Sequence, residues 1–226
     1  MAQFSGFKAP TTAFIQALST NNDKSWFDAH RAEYETHYIE PAKTFVAALQ
    51  QPLQHLVPSI QAVPKVNGSI FRINRDTRFS KDKRPYKDHL DLWFWEGERK
   101  GAVSGLFFRL TADRLILGAG AHMFDKARLA NYRSALADPV HSTALLEVQE
   151  ALHQTGHQLM GSHYVKTPRG LVLHHKALEP LSRHNALYAQ VESPHPGTLG
   201  TPAFIKTCLS TWAAFVPLHN WLVRMA

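Results

Sequence analysis

The segment FRINRDTRFSKDKRPYK, residues 71–87, holds Arg72, Arg75, Arg78, Lys81, Lys83, Arg84 and Lys87, and within it only Asp76 and Asp82 oppose them. A guanidinium presents paired N–H donors in one plane, which suits the oxygens of a phosphate or carboxylate. Thr77, Ser80 and Tyr86 lie among the cations and carry hydroxyls that can donate to the same oxygens. Pro85 restricts the backbone there, which lowers the cost of ordering the segment around a ligand. These types and spacings point to recognition of an anion by Arg72, Arg75, Arg78, Ser80, Lys81, Lys83, Arg84, Tyr86 and Lys87.

Two other readings account for the same residues. In the first, a phosphoester is hydrolysed or transferred. Asp76 or Asp82 holds a divalent ion, His89 acts as acid or base, and arginines stabilise the developing negative charge. That chemistry requires Asp76, Asp82 and His89 to converge in one cleft. In the second, Asp76, Asp82 and acids elsewhere pair with these cations inside the fold and tie a sheet to helices, with Glu33, Glu35, Glu40, Glu147 and Glu150 as candidate remote partners.

His89 and Asp91 share one face of a strand if the alternation in HLDLWFW holds, and an imidazole beside a carboxylate can serve as a general base. Ordinary cross-strand pairing on a half-buried strand face explains the pair as well, and is preferred. Other motifs carry less. Gly118 and Gly120 in LGAGAH lack the third glycine of a dinucleotide fingerprint, Met123 standing in its place. Glu150, His153 and His157 have helical spacing, but Gly156 should end the helix before His157, and His174–His175 lie apart from them. No metal site is assigned on these residues, and no cofactor is specified. Cys208 sits in an apolar helical run and reads as core, not as a nucleophile.

The chain has 226 residues, with 25 Lys and Arg against 18 Asp and Glu, a formal net charge of +7. Most of that excess falls within 72–87, so the charge is a local feature and not a diffuse coat for polyanions. A hydrophobic share of 44% and a charged share of 19% are those of a globular protein. One cysteine rules out an intrachain disulfide. The opening MAQFSGFKAPTTAF lacks the basic start and apolar core of a secretory signal, and no apolar run approaches the roughly 20 residues of a membrane span. A cytoplasmic protein without a membrane association is expected, its partner a phosphate-containing small molecule or a nucleic acid.

The elements that must position the cations are legible in outline. Phe27, Tyr34, Tyr38, Pro41, Phe45 and Ala48 recur at helical spacing, with Asn22 or Asp23 as N-cap and Pro41 as a kink or a second helix start. QPLQHLVPSIQAVPKVNGS, rich in proline, reads as a connection. IFRIN and HLDLWFW alternate as strands, and AVSGLFFRL and RLILGAGAH flank TAD as a hairpin. Helices follow over 124–154, then a short helix and a final strand within 176–192, then a closing helix interrupted near Pro217. The expected fold is α+β: one domain, with a helical segment at 9–56, a central antiparallel sheet over about 69–122 flanked by helices, and a helical half at 124–226.

The 71–87 block closely resembles the signature of the domain of unknown function 2461 family, an RDxRFSKDKxPYK-like run. The likeness extends to NNDKSWFDAHRAEY, where Asn21, Asn22, Trp26, Phe27, Arg31 and Tyr34 match, and to Gly118–Gly120, TPRG at 167–170 and His175. Two departures stand out. His174-His175-Lys176 replaces the Asp-His-Pro common in relatives, and AHMFD replaces an aromatic and a proline after the glycine turn. The resemblance implies a single α+β domain and brings no established activity, cofactor or catalytic residue.

Overall fold

A computed structural model describes residues 3–99 and 103–225. Helix α1 (Ala9–Thr20) opens with Pro10 in its first turn, where a missing amide proton costs nothing, and buries Phe14, Ile15 and Leu18. Helix α2 (Lys24–Ala29) is capped by Asp23, whose carboxylate accepts from the Trp26 amide at 2.9 Å. A single turn, α3 (Arg31–Glu33), leads into a π-helical turn at Tyr34–Ile39 and then α4 (Glu40–Leu56). Pro41 falls in the first turn of α4, where the π-helical turn passes into it without a break in the helical backbone. The apolar stripe is as expected, with Phe27, Tyr34, Tyr38 and Phe45 all buried.

One boundary differs from expectation. Helix α4 runs through Pro52 to Leu56, into the stretch that reads as a connection. Proline removes one intrahelical hydrogen bond. Leu49 and Leu53, both fully buried, flank it and hold the helix on its apolar stripe.

The sheet has five strands in sequence order: β1 (Ile60–Gln61), β2 (Leu90–Glu96), β3 (Gly105–Leu110), β4 (Arg114–Ala121) and β5 (Leu187–Pro194), antiparallel throughout. The hairpin between β3 and β4 turns where TAD predicts, closed by the Thr111 amide on the Arg114 carbonyl at 2.9 Å. In β2, Leu90, Leu92 and Phe94 are buried while Asp91 and Trp93 stay half-exposed, as alternation requires, but Trp95, which alternation puts on the outward face, is buried as well. IFRIN keeps its alternation, with Ile73 buried and Arg72 and Asn74 exposed, but it is not a continuous strand. It makes isolated bridges, Ile70 with Leu92 and Asn74 with Tyr86.

The chain divides into two compact units, Met1–Phe94 with Phe107–Leu117 and Glu192–Ser210, and Trp95–Leu106 with Gly118–Val191 and Thr211–Ala226. The first has an aromatic core. Phe7 and Phe45 pack on each other and each contacts Phe4, Phe108 and Phe204, the last on α8 (Phe204–Ala213), with ring centroids 4.9–5.9 Å apart. Cys208 on α8 is fully buried, and its burial pushes the thiol well above its ordinary value. It should be inert to a thiol-titrating reagent in native buffer and react once denaturant is added. Prompt native-state reaction would show the core reading of Cys208 to be wrong.

In the second unit, α5 (Lys126–Ala137) and α6 (Pro139–Gln154) are capped by Asp125 and Asp138, and Gly156 closes α6 at φ 78°. A helical turn at Lys176–Leu178, then α7 (Glu179–Ser182), precedes β5, and α9 (Val216–Arg224) starts with Pro217 in its first turn. Gly120 of β4 has φ +134°, and a Cβ there would meet the Leu187 carbonyl oxygen and lie 2.5 Å from the Tyr188 Cα. Close approach of β5 accounts for this glycine without a ligand.

Candidate functional site

Residues 72–87 form an irregular loop whose two ends are fastened to each other. The Arg75 amide donates to the Pro85 carbonyl at 2.8 Å and the Lys87 amide to the Ile73 carbonyl at 2.8 Å. The loop is also anchored from outside. Asn22 accepts from the Tyr86 amide through Oδ1 and donates to the Tyr86 carbonyl through Nδ2, both at 3.0 Å. The Tyr86 ring stacks on Phe27 with centroids 4.2 Å apart. Tyr86 is thus a buried anchor of the loop.

Within the loop the two carboxylates do similar work. Asp76 accepts from the Arg78 amide at 3.2 Å and takes the Arg78 guanidinium on both oxygens at 3.0 and 2.7 Å. Asp82 accepts from the Arg84 amide at 3.0 Å and pairs with the Arg84 guanidinium at 2.9 Å and with Arg75 at 2.8 Å. Each aspartate caps the backbone two residues on, a turn geometry typical of Asp. Arg75 also donates to the Arg84 carbonyl at 3.0 Å, and Lys83 to the Thr77 carbonyl at 2.9 Å. The hydrogen bonds from Arg78 hold the Asp76 carboxyl down at about 2, and those from Arg84 hold Asp82 well below the carboxylate range.

The remaining side chains divide sharply by exposure. Arg72 and Lys81 are exposed and, among the described residues, take part in no ion pair. Arg72 lies near enough to Asp76 to help lower its carboxyl. Phe79 is 94% exposed, with the Arg78 guanidinium 5.7 Å from its ring centroid. Lys87 points the other way: it is half-buried, 4.7 Å over the Phe71 ring and 3.6 Å from Asp91.

Asp91 of β2 is a second focus. Arg109 of β3 grips it with two hydrogen bonds, Nε to Oδ1 at 2.7 Å and Nη2 to Oδ2 at 3.1 Å. His89 Nε2 lies 3.2 Å from Asp91 and His89 Nδ1 3.0 Å from Asp88, and Tyr38 donates to the His89 carbonyl at 2.9 Å. Burial pushes the Asp91 carboxyl up, but the bonds from His89 and Arg109 outweigh it and hold the group well below its ordinary value.

His89 therefore sits between Asp88 and Asp91, whereas Asp76 and Asp82 are occupied by arginines; no hydrogen bond or ion pair among the described residues joins either of them to His89. No group of three or more His, Cys, Asp or Glu among the described residues is placed to hold a metal ion. Of the glutamates expected as remote partners, Glu40 pairs with Lys43 and Glu33 lies against His30. Local aspartates take that role. Nothing in the sequence singles out Asp88 or Arg109, and Asn22 reads there only as a cap and a family match. The Asp-x-Arg spacing at 76–78 and 82–84 is visible in the sequence and signals local pairing.

A family model described as a conserved hypothetical protein, DUF2461, matches residues 10–221. The chain belongs to this family. No curated protein and no solved structure matches it. Two of the segments of this DUF2461 chain that carry the resemblance, 21–34 and 71–87, meet in space. Asn22 and Phe27 hold Tyr86, Tyr34 packs on Phe27 with centroids 5.1 Å apart, and the Arg31 guanidinium lies 5.5 Å from the Phe27 centroid. In the second unit, His175 Nε2 faces the Thr143 hydroxyl at 3.1 Å. No helix among the described residues of the DUF2461 chain is long and apolar enough to cross a membrane.

Proposed function

We propose that the 72–87 loop binds a phosphate-bearing anion on its outer surface. The observation that carries this reading is the division among the cations. Asp76 and Asp82 engage Arg75, Arg78 and Arg84 and set the loop's shape, while Arg72 and Lys81 stand exposed and take part in no ion pair among the described residues. Lys83 adds positive field beside them, and the Ser80 hydroxyl is a further donor for a bound oxygen. Anchoring by Tyr86 and the internal ion pairs fix the loop before any ligand arrives, which reduces the ordering cost of binding. Tyr86 and Lys87 belong to the support rather than to the contact surface.

The test is binding of inorganic polyphosphate to the intact protein and to the double variant Arg72→Ala/Lys81→Ala over a series of salt concentrations. Both positions are exposed, so the fold should be unaffected. Loss of two contacts should lower affinity and flatten the slope of log K against log salt by about 1.5, from the counterion released per contact. Equal affinity and slope for the two proteins would refute the proposal.

A further inference from the structure

We infer that the occupant of this loop is single-stranded nucleic acid, with the Phe79 ring stacked on an unpaired base while Lys81 and Arg72 contact the phosphates. This rests on the phosphate-binding reading above and names the ligand class. The observation is the placing of Phe79. Of the three aromatic residues in the 71–87 segment, Tyr86 is buried against Phe27 and Phe71 is half-buried beneath Lys87. Phe79 alone is held out, 94% exposed, on a loop that internal ion pairs keep from collapsing over it. A large apolar ring kept in water beside exposed cations matches a ligand that carries both a flat apolar face and a negative backbone.

Three other anions fit the geometry less well. A small phosphorylated molecule is usually enclosed by a concave site that covers most of its surface; a ring 94% exposed at a loop tip is a protrusion. Duplex nucleic acid keeps its base faces covered by stacking, so it offers phosphates to Lys81 and nothing to Phe79. An anionic lipid surface would take the ring into the acyl region, and with it the Arg78–Asp76 pair, in which Arg78 lies 5.7 Å from the ring centroid. One inserted side chain also gives a weak anchor, since stable membrane attachment takes two signals. A single strand instead places a base on the ring and leaves the ion pair in water. Arg78 then continues the stack as a cation on the aromatic system.

The experiment measures fluorescence anisotropy of a labelled single-stranded oligonucleotide of mixed sequence with the full-length protein at low salt. Inorganic polyphosphate, the matching duplex, and vesicles of phosphatidylserine and phosphatidylcholine serve as parallel probes. Phe79→Ala should weaken oligonucleotide binding about 5- to 100-fold, the loss expected for one base–aromatic stack, and leave polyphosphate binding unchanged. Phe79→Trp should restore binding, and Phe79→Leu, apolar but without a π face, should not. Oligonucleotide binding indifferent to Phe79→Ala, with polyphosphate still bound, overturns the stacking inference and leaves the phosphate reading standing. Binding of neither probe overturns both. Equal affinity for the duplex, or stronger capture by vesicles that Phe79→Leu retains, overturns the single-strand assignment.

Discussion

Asp91→Ala should lower the stability of the protein by about 3 kcal/mol, read from denaturant unfolding. The substitution strips a half-buried carboxylate from three cationic or potentially cationic neighbours: Arg109, His89 and Lys87. Breaking one side of a buried pair typically costs about 3–5 kcal/mol, and the low end applies because the Arg109 side chain remains 43% exposed to water. The loss has a pH signature. Asp91 has its carboxyl depressed in the folded state, so its contribution is present above the unfolded value near 3.9 and drains away as pH falls below it. The stability gap between the original protein and Asp91→Ala should therefore narrow on acidification. Asp76→Asn, in contrast, alters an exposed pair and should leave the melting temperature where it was. An unchanged midpoint for Asp91→Ala would remove Asp91 from the framework and free it for a chemical role.

Gly120→Ala should be comparably damaging, at roughly 3–5 kcal/mol, with a fall in melting temperature of about 10 °C for a chain of this size. Two costs act together. The backbone at φ +134° is one that residues with a Cβ rarely adopt, and the added carbon would run into the Leu187 carbonyl oxygen and the Tyr188 Cα. Both obstacles are main-chain atoms of β5, which no rotamer change can move aside. The measurement is a thermal melt beside Gly97→Ala. Gly97 also has positive φ, but nothing lies within 4 Å of the position its Cβ would take, so it reports strain without the clash. Equal shifts for the two would remove close strand approach as the reason for glycine at 120.

Legibility in the sequence depends on the range of the interaction. The α4 stripe, the β2 alternation and the hairpin at TAD are set by neighbours a few residues apart, and each is readable as a period or a turn. Pro52 misleads because a local breaker rule points one way where burial of Leu49 and Leu53 decides the outcome. IFRIN has strand alternation, but whether an alternating run joins a ladder depends on which chain lies beside it, and here it is shared between Leu92 and Tyr86. At the candidate site, composition locates the loop and its charge. It does not separate supporting cations from free ones. That division follows from Asp-x-Arg turns, which are visible in the sequence, and from the grip of Asn22 on Tyr86, which is not. The same limit applies to the aromatics, since only the fold distinguishes the exposed Phe79 from the buried Tyr86.

The Asn22–Tyr86 clamp joins positions 64 residues apart, so the loop's outer anchor forms only once the segment after α1 has reached it, whereas its two ends pair with each other locally. The seating of the loop is thus a long-range matter although its own ion pairs are local. A chain emerging from synthesis carries all the cations of the block long before it carries their arrangement. Any recognition that depends on the held-out geometry would thus discriminate between finished molecules and unfinished ones, and a partner that reads charge alone would not.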